Sequence, residues 1–170
     1  AQDTLISGQI TDENGDISIL NKSTGNMTIE GIINHNIQNN NAKGMISIVN
    51  SENSGELNIV SDIKTKGVAK EADNDLIAIL IDNKSTSHGL SLGNEVSARI
   101  GDIIVRNASK NLFTGGTITN SEQGNIKITN SGDAYTNMAD ITNTKGDISI
   151  AHNNGGNFQL GGSITNSDGN

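Results

Sequence analysis

The sequence predicts an all-β chain wound as a parallel β-helix, with about six coils of 22–23 residues and three short strands in each. Three observations predict it. Short strands of alternating apolar and polar residues recur behind glycine. Their apolar positions return at a nearly fixed interval. The composition, finally, favours side chains that stack on copies of themselves. The 170 residues hold 25 Ile, 26 Asn and 20 Gly, with no Pro, Cys or Trp, one Tyr and two Phe. Such an interior is filled by Ile, Leu and Val rather than by aromatic bulk, while Asn, Ser, Thr and Gly supply the turns.

The elements follow in order. One strand type places Ile17, Ile46, Ile103, Ile126 and Ile148 after a glycine, with a second apolar residue two places on; Ile77 in DLIAIL is assigned the same slot. A second type carries Thr4, Met27, Leu57, Leu90, Leu112, Tyr135 and Phe158. Six residues after each comes a third position: Ile10, Ile33, Ile63, Val96, Ile118, Ile141 and Ile164, at intervals of 23, 30, 33, 22, 23 and 23. Alternation within a strand has period two, as in GNIKITN at 124–130, where Ile126 and Ile128 share a face. Period and pattern together exclude the common helical repeats and suit a sandwich poorly. The two long intervals mark insertions near 34–43 (NHNIQNNNAK) and 64–74 (KTKGVAKEAD over 64–73), expected to protrude as loops. Asn120, Asn143 and Asn166 share one slot, and Asn21, Asn50, Asn107 and Asn130 another, so their amides are expected to hydrogen-bond along the coil axis. His152 falls where other coils put Asn and is expected to be a corner residue.

A net charge of −8 argues against nucleic acid, which demands clustered Lys and Arg. No run of 18 apolar residues offers a membrane span, and the opening AQDTLISG has neither a basic nor an apolar signal region. His35, His88 and His152 lie at unlike slots without metal-ligand spacing, and the calcium nonapeptide of β-rolls is absent, so no metal or cofactor is expected. The candidate contact residues lie in the insertions: Lys64, Lys66 and Lys70, with Asn39 and Asn40. Asp62 and Glu95 occupy equivalent slots in successive coils, and Asp140 shares that slot two coils on. A glycan-binding or glycan-cleaving β-helix would use such carboxylates in pairs. Against that reading, 19 acidic residues make solvent-facing acids common here, and one Tyr with no Trp leaves little platform for sugar rings.

The repeats 124-GNIKITNSGD-133, 146-GDISIAHNNGGNFQLGGSITNS-167 and 15-GDISILNKSTGNMTIEGIIN-34 resemble those of large secreted bacterial adhesins. The filamentous-haemagglutinin type, exported by two-partner secretion, and autotransporter passengers are the similar families. The resemblance covers nearly the whole chain. It implies a right-handed β-helix exported across an outer membrane, secreted or held at the cell surface, with adhesion or virulence as its role. It also implies no enzyme activity and no cofactor, and a receptor on a host cell, another bacterium or a glycan. The Asn-Pro-rich secretion signature of two-partner proteins is missing, since there is no Pro. The chain therefore reads as one β-helix segment over 1–170, a slice of a longer shaft flanked by further repeats. Neither end shows a polar cap, so the isolated block is expected to stack end to end.

Overall fold

A computed structural model describes residues 2–35, 38, 41–72 and 75–170. Among these, all regular structure is β-strand. The first coil runs β1 (Thr4–Ile6), β2 (Ile10–Asp12) and β3 (Ile17–Asn21). The second holds β4 (Met27–Ile29), β5 (Ile33–His35), a short β6 (Lys43–Gly44) and β7 (Ile46–Asn50). The third is β8 (Leu57–Ile59), β9 (Ile63–Ala72) and β10 (Asp75–Asn83), and the fourth β11 (Leu90–Leu92), β12 (Val96–Ile100) and β13 (Asp102–Asn107). The fifth is β14 (Asn111–Thr114), β15 (Ile118–Gln123) and β16 (Ile126–Asn130), and the sixth β17 (Ala134–Asn137), β18 (Ile141–Asn143) and β19 (Ile148–His152). A seventh coil begins with β20 (Phe158–Leu160) and β21 (Ile164–Asn166).

Like strands stack in parallel into three sheets, the arrangement of a parallel β-helix. Sheet A is β1-β4-β8-β11-β14-β17-β20. Sheet B stacks β2, β5, β9, β12, β15, β18 and β21, with β6 also on β9. Sheet C stacks β3, β7, β10, β13, β16 and β19. The columns read from the sequence are the registers of sheets A and B: Met27 pairs with Leu57, Leu57 with Leu90, Ile33 with Ile63 and Ile63 with Val96, and so along the chain. One column needs correction. In sheet C the partner of Ile46 and Ile103 is Ile79, not Ile77. Ile77, Ile79 and Ile81 share one parity in the sequence, so the run offers two registers. A register shift between Ile77 and Ile79 leaves Ile77 opposite Asp102 on one side and Lys70 across a hairpin on the other.

That hairpin is the second correction. Residues 64–72 do not form an irregular loop; β9 runs through Ala72 and pairs antiparallel with β10, joining sheets B and C, and residues 73–74 lie outside the described residues. Period two continues through the segment, with Ile63, Thr65, Gly67 and Ala69 buried and Lys66 exposed between them. Small residues at 67 and 69 hide the alternation from a reading of hydrophobicity. The first insertion departs after His35 and returns at β6, and both β5 and β6 pair with β9 in sheet B; residues 36, 37, 39 and 40 of the expected loop lie outside the described residues.

Two amide columns behave differently. In the first, Nδ2 of each Asn donates to Oδ1 of the next: Asn21 to Asn50, Asn50 to Asn83, Asn83 to Asn107 and Asn107 to Asn130, at 2.7–2.9 Å. Asn83 belongs to this ladder as well, and His152 closes it, 3.1 Å from Asn130. In the second, Asn120, Asn143 and Asn166 do not bond one another. Each donates instead to a glycine carbonyl of the preceding coil, Gly101, Gly124 or Gly146. His35 fills an earlier level of that column and reaches the Gly15 carbonyl in the same way, with Thr65 Oγ1 at 3.1 Å from its other nitrogen.

Candidate functional site

The acidic column lies on the outer surface where each coil turns into sheet B. Asp62, Glu95 and Asp140 each stand immediately ahead of a core residue, and so do many Asp and Asn elsewhere. At this position a side-chain oxygen accepts the backbone N–H of the same slot in the next coil. Asp3 takes Asn26 N at 2.9 Å, Asp16 takes Met45 N at 3.0 Å, and Asp102 takes Asn125 N at 2.8 Å. Asp62 takes Glu95 N at 3.3 Å, and Asp140 takes both N and Oγ of Ser163 at 2.8 Å. Those two donors hold the Asp140 carboxyl below the ordinary Asp range. Asp62 and Asp140 are therefore coil-to-coil latches, while Glu95 ties its coil to the preceding one through Lys64.

Lys64 completes the arrangement. Its Nζ lies 2.7 Å from Glu95 Oε2 and 3.1 Å from Asp62 Oδ2, which raises its own pKa. The ammonium bridges the two carboxylates that a glycosidase pair would have to leave open to a sugar. Thr117 occupies the level between Glu95 and Asp140, so those two are not adjacent. Lys66 is an exposed residue of β9 whose carbonyl accepts Arg99 Nε at 2.6 Å; Lys70 pairs with Ile77 in the hairpin. The lysines of the insertion are thus strand residues, with Lys64 committed to an ion pair. Asn39 and Asn40 lie outside the described residues.

One concavity was not read from the sequence. An open groove of about 450 Å³ follows the corner between sheets B and C just beyond the hairpin. Its floor is a column of glycines, Gly101, Gly124 and Gly146, all in the left-handed region at φ 117°, 145° and 122°. One wall is the residue ahead of each glycine: Ile100, Gln123 and Lys145. The other is the residue after it, Asp102 and Asn125, and Leu76 of the hairpin closes one end. The floor's main chain is saturated. Its N–H groups donate to Gln123, Lys145 and Asp168 carbonyls, and its carbonyls accept the Asn120, Asn143 and Asn166 amides. Asp102 is buried, 2.8 Å from Lys127 Nζ and bonded by Asn125. The glycines recur at intervals of 23 and 22, a signal present in the sequence without any sign that the hairpin would wall it.

No group of three or more His, Cys, Asp or Glu among the described residues is placed to hold a metal ion. No protein-family model, no curated protein and no solved structure matches the chain. Its class is accordingly defined by its own geometry, a parallel β-helix of three sheets.

Proposed function

We propose that the chain is a structural and adhesive shaft segment of a bacterial surface or secreted adhesin, mediating attachment without catalysis. One observation carries this reading: the acids that would form a catalytic face are spent on holding coil to coil. A stiff rod of stacked coils, latched on its outside and laddered at its corner, is what a surface protein needs to hold a contact away from the cell. The resemblance of its repeats to filamentous-haemagglutinin-type adhesins supports the same role, with further repeats of the same kind continuing the shaft and a receptor on a host cell, a bacterium or a glycan. Beads coated with the protein should adhere to epithelial or bacterial cells more than beads coated with an unrelated β-helix. The same preparation should release no reducing ends or unsaturated products from neutral and acidic polysaccharides. Product release abolished by Glu95→Gln would replace this reading with the glycan-cleaving one.

A further inference from the structure

We infer that the turn at Asn154 and Gly155 is a site of covalent self-modification, in which the Gly155 nitrogen displaces ammonia from the Asn154 side chain and water then leaves aspartate or isoaspartate. Asn stands directly ahead of Gly twice in the chain, at 14–15 and at 154–155. In such a pair no side chain screens the attacking main-chain nitrogen. The fold treats the two pairs differently. In the turn between β19 and β20, Gly155 N donates to Asn154 Oδ1 at 2.9 Å, so nucleophile and carbonyl already touch. Contact of that kind between reacting groups is what lowers an intramolecular barrier. Both residues are exposed, and a Cβ added at Gly155 would meet nothing within 4 Å. The turn is anchored on either side, where Asn153 N donates to the Asn130 carbonyl at 2.8 Å and the Asn157 carbonyl accepts Tyr135 N at 2.9 Å. Asn154 and Gly155 lie between these anchors and face solvent.

The pair at 14–15 is held instead. Asn14 N donates to Asp12 Oδ1 at 2.8 Å, and the Asp12 carboxylate lies 3.1 Å from where a Cβ of residue 15 would stand. The Gly15 carbonyl is engaged by His35 Nε2 and packs against Gly44 of the next coil. Ring closure at Asn14 has to break these contacts. Asn50, Asn120 and Asn130 each precede a serine, but they are buried, with Nδ2 bonded to Asn83 or to the carbonyls of Gly101 and Ala134.

The chemistry at 154 balances with water as its one co-reactant. Solvent base removes the Gly155 N–H proton, the nitrogen bonds to Asn154 Cγ, and the bond from Cγ to Nδ2 breaks. Nδ2 leaves as ammonia, taking its extra proton from solvent. Water then opens the cyclic imide. Opening at the side-chain carbonyl gives aspartate; opening at the main-chain carbonyl gives isoaspartate, whose backbone is longer by a methylene. Either product adds a negative charge to a protein of net charge −8. No receptor takes part, so this chemistry stands or falls apart from the adhesive role.

The test incubates the whole protein at mildly alkaline pH and then digests it with trypsin. Cleavage after Lys22 and Lys145 puts the two pairs in separate peptides, 1–22 and 146–170. Exchange of ammonia for water adds about 1 Da, and fragmentation assigns it to a residue. An isoaspartyl methyltransferase with labelled S-adenosylmethionine marks the longer backbone. In the folded protein Asn154 should convert at least about tenfold faster than Asn14. In synthetic peptides 1–22 and 146–170, where neither turn is held, the two rates should come together. Gly155→Ala, placed in open space, should keep the melting point and slow conversion at 154 about tenfold or more, because its methyl crowds the nitrogen. Equal rates at the two pairs in the folded protein overturn the inference, as does unchanged conversion in Gly155→Ala. A difference that persists in the free peptides overturns it too, since local sequence rather than the fold would then set the rates.

Discussion

At the scale of single residues, the corner amides show how a polar side chain earns a buried place. Asn107 is 2% exposed. Its Oδ1 accepts from Asn83, and its Nδ2 donates to Asn130 Oδ1 and to the Ser109 carbonyl of its own turn. All of the amide's main bonding capacity is met along or within the coil, which is the condition for burying it without loss. Asn107→Ala would strand a donor on Asn83 and an acceptor on Ser109, while Asn130 Oδ1 would keep only the Gly132 N–H. Each unsatisfied buried group costs free energy, so the variant should be less stable by about 2–4 kcal/mol in urea denaturation. A loss below about 0.5 kcal/mol would mean that water replaces the ladder and that stacking, not bonding, sets the position. The latch at Asp140 is different in kind, because it is exposed. Its lowered pKa means that the carboxylate's contribution is present above the ordinary Asp range and fades as pH falls through the folded value.

At the scale of elements, the corners rather than the strands separate one coil from another. From the fourth coil on, the tight corners turn on a glycine with positive φ; the corner of the third coil is instead extended into the β9–β10 hairpin. Gly101 lies where the two designs meet. A Cβ there would collide with the Ala69 side chain and press on the Leu76 carbonyl, and its φ of 117° strains any L side chain. Gly101→Ala should cost more than about 2 kcal/mol. Gly155→Ala, at a site with open space around it, should be close to neutral. Equal melting points for the two variants would show that the corner relaxes freely. The same contrast explains what was legible beforehand. Strand columns were readable because Ile, Leu and Val repeat at fixed spacing, and registers such as Ile118 with Ile141 follow directly. The hairpin was not, because Gly67 and Ala69 carry its inward face and three lysines dominate its composition. Ile77 was misplaced because three isoleucines of one parity leave the register undecided until antiparallel pairing fixes it. The groove was invisible for a third reason: it is made by the end of one element standing over the corner of its neighbours.

At the scale of the whole molecule, each coil touches chiefly the coils before and after it, so stability is a sum of nearest-neighbour terms. Burial grades accordingly. Ile46, Ile79, Ile103 and Ile126 in sheet C are fully buried, whereas Ile164 in the last coil is 44% exposed and Phe158 47%. An identical substitution should therefore have unequal effects along one solenoid. Ile126 is packed between Ile103 and Ile148, and a carboxylate there has no partner on either side. Ile126→Asp should cost about 4 kcal/mol or more and unfold most of the stack. Ile164→Asp faces only Ile141 and reaches solvent, so its cost should stay under about 1 kcal/mol. Far-ultraviolet circular dichroism through a urea titration measures both. Hydrogen exchange adds the spatial reading: in the wild type, the amides of β10, β13 and β16 should be the slowest to exchange and those of β20 and β21 the fastest. Equal destabilisation by the two variants, with uniform protection along the chain, would mean that the coils unfold as one indivisible core and that nearest-neighbour stacking is the wrong account of this molecule.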